Sequence, residues 1–165
     1  MAAAPEREPV IAYVGLGANL GDPAQAVIGA IDGISRLPLT AVTARSSLYR
    51  SAPVDAAGPD YVNAVIELRT GLNALELLLQ LQQMERGAGR TRTYRHAPRT
   101  LDLDLLLFGS ASMASARLTL PHPRMAERAF VLQPLAEIAP HLVTAHALSA
   151  TTSQAIARVE PPAQD

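Results

Sequence analysis

Residues 61–68 read YVNAVIEL. Successive side chains of a strand point to opposite faces, so Val62, Ala64, Ile66 and Leu68 share one face and Tyr61, Asn63, Val65 and Glu67 the other. The first face is wholly aliphatic and belongs in a core. The second mixes rings, an amide and a carboxylate, the mark of an antiparallel sheet covered on one side. Upstream, a ten-residue loop at 51–60 (SAPVDAAGPD) leads back to 39–50 (LTAVTARSSLYR), a strand with a polar face. Before it, Ala26, Val27, Ala30, Ile31, Ile34 and Leu37 recur at helical spacing. Asp22 suits the N-cap of that helix, Pro23 its first position, and Pro38 stops it. Val10–Leu16 (VIAYVGL) reads as a first strand, broken by GANLGDP. Downstream, Asn73 and Glu76 form a capping box for a second helix that runs to about Arg86 and stops at Gly87. An apolar strand, TLDLDLLLF at 100–108, ends in a turn at Gly109.

The resulting order is β-α-β-β-α-β. It predicts an α+β, ferredoxin-like split βαβ fold: a single domain whose antiparallel sheet carries its helices on one face and leaves the other for a site. The apolar run after Asp104 predicts that this last strand is central. Beyond it, LTLPHP at 118–123 reads as a short extended piece, 124–140 as a helix interrupted at Pro134, and Thr151–Val159 as a weak last helix.

With 165 residues the chain is long enough for one domain with a real core. Net charge is −1, which gives no overall bias toward nucleic acid or an anionic membrane. All 14 basic residues are arginine, which excludes lysine chemistry and the GxxxxGK[ST] phosphate loop. Cysteine is absent, so disulfides, thiol nucleophiles and cysteine-bound metals are excluded. No apolar run reaches the roughly 18 residues of a membrane span, and residues 1–9 (MAAAPEREP) lack the features of a secretory signal. The expectation is a cytoplasmic protein with a disordered stretch at 1–9 and a single domain at 10–160.

Chemistry gathers at 85–108, ERGAGRTRTYRHAPRTLDLDLLLF. Asp102 and Asp104 are two apart on a strand, with about 6.5–7 Å between their Cα atoms, and point the same way while Leu101 and Leu103 point to the core. Such a pair can hold hard cations such as Mg²⁺, or can simply be two solvated carboxylates paired with arginines. Arg90, Arg92, Arg95 and Arg99 precede it in a glycine-initiated loop that could close over a polyphosphate. A nucleic-acid loop is the rival, weakened by the lack of net positive charge. Tyr61 and Asn63 suit a flat heterocycle, stacked and hydrogen-bonded at its edge, or else ordinary cross-strand packing. GLGANLG is not the dinucleotide spacing and reads as a turn. His122 lies between two prolines, and the dispersed histidines give no zinc pattern. A different DxD nucleotide enzyme and a ferredoxin-like binding module are the competing functional classes.

Together GLGANLGDP, APVDAAGPDYVNAVIEL, GAGRTRTYRHAPRTLDLDLLLFG and RLTLPHPRMAERAFVLQPLAEIAP resemble the 6-hydroxymethyl-7,8-dihydropterin pyrophosphokinases of folate biosynthesis. The resemblance spans roughly residues 10 to 142 and does not reach the last twenty. It implies transfer of the pyrophosphoryl group of ATP to the pterin hydroxymethyl group, with release of AMP, by a monomer that needs neither membrane nor nucleic acid. Carried over by motif, Asp102 and Asp104 would bind two Mg²⁺ ions, and Arg90 and Arg92 would be the catalytic arginines. Gln82, Arg99, Leu105, Arg117, Thr119, His122 and Arg128 would hold ATP. Tyr61 and Phe130 would sandwich the pterin, while Asn63 and the backbone of Ala52 and Val54 would read its edge. The chain departs from the family where His96 and Ala97 replace a common Trp and Gly, and where Ala52 replaces a common Pro.

Overall fold

The computed structural model of the chain describes residues 8–52, 58–88 and 101–159. β1 (Val10–Ala18) leads through α1 (Pro23–Ser35) to β2 (Thr40–Arg45) and β3 (Tyr49–Ser51). β4 (Tyr61–Thr70), α2 (Ala74–Ala88) and β5 (Asp102–Phe108) complete the βαββαβ core. The sheet order is β5-β1-β4-β3, with β2 also beside β4. β2 and β3 therefore occupy one strand position, broken between Arg45 and Tyr49, and each is antiparallel to β4. β1 lies between β4 and β5, antiparallel to both, as the split βαβ pattern requires.

The expected helix starts are made, whereas α2 runs through Gly87 to Ala88 instead of stopping at the glycine. Asp22 caps α1 by accepting from the Gln25 amide at 3.2 Å. In the capping box, Asn73 accepts from the Glu76 amide and Glu76 from the Asn73 amide, both at 2.8 Å. α1 and α2 press Val27, Ile31, Ile34, Leu77 and Leu81 onto the aliphatic face of the sheet, where Val62, Ala64, Ile66 and Leu68 wait.

The opposite face is only partly open. α3 (Ala129–Ile138) packs Val131 and Leu135 on Tyr13, Val65 and Leu106 at one end of it. The helix is not interrupted at Pro134, which lies buried within it. The break falls earlier, at Arg128, whose extended backbone (φ −122°, ψ 112°) separates a short turn at Met125–Glu127 from α3. Pro134 cannot donate to the Phe130 carbonyl and its ring crowds that carbonyl, a local cost that the burial of Pro134 against its neighbours accompanies.

β5 is not central. Among the described residues it pairs with β1 alone. Leu103, Leu105 and Leu106 are nevertheless buried and Leu107 half-buried, because helices cover much of both faces and the outer edge is partly occupied. The hairpin β6 (Met113–Ala114) and β7 (Thr119–Leu120) leads to the His122 amide, which donates to the Leu106 carbonyl at 2.9 Å. Nearer the start of the strand, Glu85 of α2 accepts from the Leu103 amide at 2.9 Å. The register with β1 also slips by one residue between Tyr13 and Val14. This bulge leaves Leu105 and Phe108 toward α1 and α2, and both Leu106 and Leu107 toward α3.

The expected last helix over Thr151–Val159 is absent. A short α4 (Ala145–Ala150) ends where the Thr151 hydroxyl turns back to the Ala147 and Leu148 carbonyls. The chain then enters β8 (Ile156–Arg158), antiparallel to β3. The open edge of β3 offers three more residues of ladder, and tertiary pairing outweighs local propensity.

Candidate active site

Across the uncovered part of the second face, the register sets two rows. Asn63 stands opposite Gly17, which stands opposite Asp102; Val65, Gly15 and Asp104 form the next row. Strands are about 4.8 Å apart, so the glycines open a bare strip between the polar side chains of β4 and the carboxylates of β5. A Cβ on Gly17 would come within 3.0 Å of Asn63 Oδ1. Gly15 lies in the expected first strand, and Gly17, expected in the break after it, lies inside β1 too; the two floor the site.

A cavity of about 620 Å³ stands on that strip. Tyr61, Asn63 and Ala52 line one side of it, Arg128 and Phe130 another, and Asp102 and Asp104 its far end. The volume lies within the range of small-molecule sites, ~300–1,000 Å³. Asn63 is 3% exposed and donates to Ser51 Oγ at 2.7 Å, which ties its side chain to β3. The Arg128 guanidinium lies 5.4 Å from the centre of the Phe130 ring. Arg128, expected with the ATP-binding group, thus faces this first cavity.

A second cavity, of about 340 Å³, opens on the other side of the same carboxylates. Gln82 and Leu105 line it with Arg117, Thr119 and His122. Burial lowers the pKa of His122; the Arg128 and Arg124 charges add to this, and Asp104 opposes them. Its Nδ1 accepts from the Arg124 amide at 3.2 Å, so a neutral ring carries its proton on Nε2 and can donate it.

The structure therefore brings the expected residues into two groups that meet at Asp102 and Asp104. Arg90, Arg92, Arg99 and Val54 lie outside the described residues. The sequence reading missed Gly15, Gly17, Glu85, Gln154 and Ile156, all of which line one cavity or the other. The G-x-G spacing places both glycines on one strand face and was the available signal for the first two. Among the described residues no three His, Asp or Glu side chains cluster to hold a metal by themselves. Two carboxylates beside an anion-sized cavity do fit Mg²⁺, which completes its shell with phosphate oxygens and water.

A ferredoxin-like α+β sheet thus carries two cavities that share a strand-borne acidic pair, an arrangement with room for two ligands side by side. A family model described as 7,8-dihydro-6-hydroxymethylpterin-pyrophosphokinase (HPPK) matches residues 13–140. The chain belongs to this family. It is 49% identical over 131 residues to the 2-amino-4-hydroxy-6-hydroxymethyldihydropteridine pyrophosphokinase of Pseudomonas aeruginosa, covering 79% of this chain and 81% of the relative. It is 44% identical to the enzyme of the same name from Bacillus subtilis, covering 90% of this chain and 89% of the relative. Among solved structures it resembles Plasmodium falciparum HPPK-DHPS with pterin and p-hydroxybenzoate. There the TM-score is 0.65 at 14% identity, over 83% of this chain and 41% of that one, a likeness of fold. The chain thus spans about two fifths of that solved protein.

Proposed function

We propose that the chain transfers the β,γ-pyrophosphoryl group of ATP to the hydroxymethyl oxygen of 6-hydroxymethyl-7,8-dihydropterin, releasing AMP, in folate biosynthesis. The observation that carries this reading is the shared floor: Asp102 and Asp104 line both cavities, so two ligands would meet above them. The first cavity takes the pterin, stacked between Tyr61 and Phe130, with Asn63 and the backbone of Ala52 and Val54 at its edge. The second takes ATP against Gln82, Leu105 and Thr119. Arg99, Arg117, Arg128 and the Nε2–H of His122 hold phosphate oxygens, and Arg90 and Arg92 act on the reacting triphosphate.

Asp102 and Asp104 would hold two magnesium ions, which supply charge neutralisation on the phosphoryl oxygens. The chain's own residues do the rest by placement. They present the hydroxymethyl oxygen in line with the β-phosphorus, opposite the departing AMP, and no protein atom need form a covalent bond. The working unit is residues 10–160 as a monomer, in the cytoplasm. Among the described residues no helix is long and apolar enough to cross a membrane.

The test is to mix the protein with MgATP and 6-hydroxymethyl-7,8-dihydropterin and identify the nucleotide product. AMP with pterin diphosphate is expected. ADP would indicate ordinary kinase chemistry, free pyrophosphate nucleotidyl transfer, and no turnover a binding module; each would overturn the assignment.

A further inference from the structure

The family match ends at residue 140, yet the first cavity is not closed without residues beyond it: Gln154, Ala155 and Ile156 form part of its wall. Gln154 makes two bonds there. Its Oε1 accepts from the Ala129 amide at 2.9 Å, and its Nε2 donates to the Glu127 carbonyl at 2.8 Å. Only one orientation of the amide satisfies both, because Ala129 presents a donor and Glu127 an acceptor. The side chain therefore grips the backbone on either side of Arg128, the one extended residue between two helical pieces.

The first N–H groups of a helix have no partner within it. A residue such as Ser or Asp at the N-cap usually supplies one. Arg128 stands at that position in α3 and makes no side-chain cap, so the first amide is satisfied from 25 residues downstream. The segment bearing Gln154 is itself tied down. β8 pairs Ser51 with Ile156 and Tyr49 with Arg158, the Val159 amide donates to the Leu48 carbonyl, and Arg158 bonds Glu137 at 3.0 Å. The grip thus connects Arg128 and Phe130 on one wall of the cavity to β3, whose Ser51 holds Asn63, on the other.

We propose that Gln154 is a positioning residue for the pterin pocket: by remotely capping α3 it fixes the backbone angle at Arg128 and hence the plane of Phe130. The proposal rests on the assignment of Phe130 as a pterin contact made above.

Gln154→Met keeps the length of the side chain and removes both bonds. Binding is measured with 6-hydroxymethyl-7,8-dihydropterin in the presence of magnesium and the α,β-methylene analogue of ATP, and with that MgATP analogue alone. The pterin dissociation constant is expected to rise about tenfold or more, because the Ala129 amide loses its partner and the turn relaxes, while the nucleotide constant, to which Arg128 is one contact among several, moves by a clearly smaller factor. In a Phe130→Ala background the same substitution should add little further pterin loss, since the two act through one contact. Unchanged pterin binding in Gln154→Met, beside a loss in Phe130→Ala, would overturn the proposal. So would an equal loss for both ligands in both backgrounds, which marks a general packing role. Normal pterin binding by Phe130→Ala would instead overturn the pocket assignment, and this inference with it. Should Gln154→Met not fold, Gln154→Glu, which keeps the acceptor for Ala129 but sets a carboxylate oxygen against the Glu127 carbonyl, is measured in the same way; a loss greater for pterin than for nucleotide is expected and no loss refutes the proposal.

Discussion

Asp102 and Asp104 point together because a strand repeats every two residues, and their position along β5 sets them opposite Gly17 and Gly15 of β1. Asp102→Asn or Asp104→Asn is expected to lower turnover by roughly 10³-fold or more with the fold retained, since the charge stabilisation supplied by bound cations is lost. Steady-state AMP formation beside a circular-dichroism melt checks both halves. The glycines give a gentler probe. A methyl at Gly17 would stand 3.0 Å from Asn63 Oδ1, whereas one at Gly15 would stand 3.5 Å from the nearest atom of Leu106, an ordinary contact. Gly17→Ala should therefore weaken pterin binding about tenfold, because the buried Asn63 amide must shift, while Gly15→Ala leaves Asn63 alone and serves as the comparison. Both Asp102 and Asn63 were legible before the structure, since alternation alone assigns a face. The glycine strip was legible only in part. The G-x-G spacing puts both glycines on one face and the split βαβ order sets β1 between β4 and β5, but the register that places Gly17 against Asn63 and Asp102 is a long-range fact.

α3 is held to β3 and β8 by one carboxylate. Glu137 accepts from the Ser47 amide at 2.7 Å, from the Tyr49 hydroxyl at 2.6 Å and from Arg158 at 3.0 Å. Burial alone would raise its pKa, but the bonds from Tyr49 and Ser47 and the Arg158 charge outweigh this and hold it below the ordinary carboxylate value of 4.5. A carboxyl whose folded pKa is depressed stabilises the fold fully above its unfolded pKa and loses that contribution as pH falls through the folded value. Glu137→Gln, which keeps an acceptor without the charge, should thus be less stable than the parent at neutral pH. The two urea midpoints should converge on acidification below about pH 4.5; a gap that persists unchanged in acid would contradict this role. Elements such as this show why the end of the chain was misread. ATTSQAIARV carries weak helical spacing, but Thr151 closes α4 and three residues complete an edge ladder. The Asp22 cap, the Asn73–Glu76 capping box and the βαββαβ order needed only neighbours in sequence and were legible. The apolar run LLLF announced burial on both faces, which the neighbours of a β5 edge strand provide as well as a central position would.

The sheet is common to both apolar clusters. Val14, Ile66 and Leu105 face α1 and α2, while Tyr13, Val65 and Leu106 face α3 from the same strands. One cooperative unfolding transition is expected, with no separate melting of the α3 side. Tyr13 lies in the α3 cluster and Tyr49 bonds Glu137 of that helix, so near-ultraviolet signals report mainly on that side and far-ultraviolet signals on the whole. The two urea curves should coincide. Leu77→Ala, in the opposite cluster and fully buried, should shift both midpoints together and cost about 2–5 kcal/mol. The bulge in β5 gives this molecule an uneven tolerance of changes in length. Leu106 and Leu107 both face α3, so a chain lacking Leu106 regains simple alternation, keeps both aspartates over the site and Phe108 in the core, and forfeits one packed leucine. A chain lacking Leu103 instead turns one aspartate inward among the aliphatic side chains beneath α1 and α2, where an unpaired carboxylate is not tolerated. Codon deletions three positions apart should therefore part company, the first leaving a weakened enzyme and the second no soluble one.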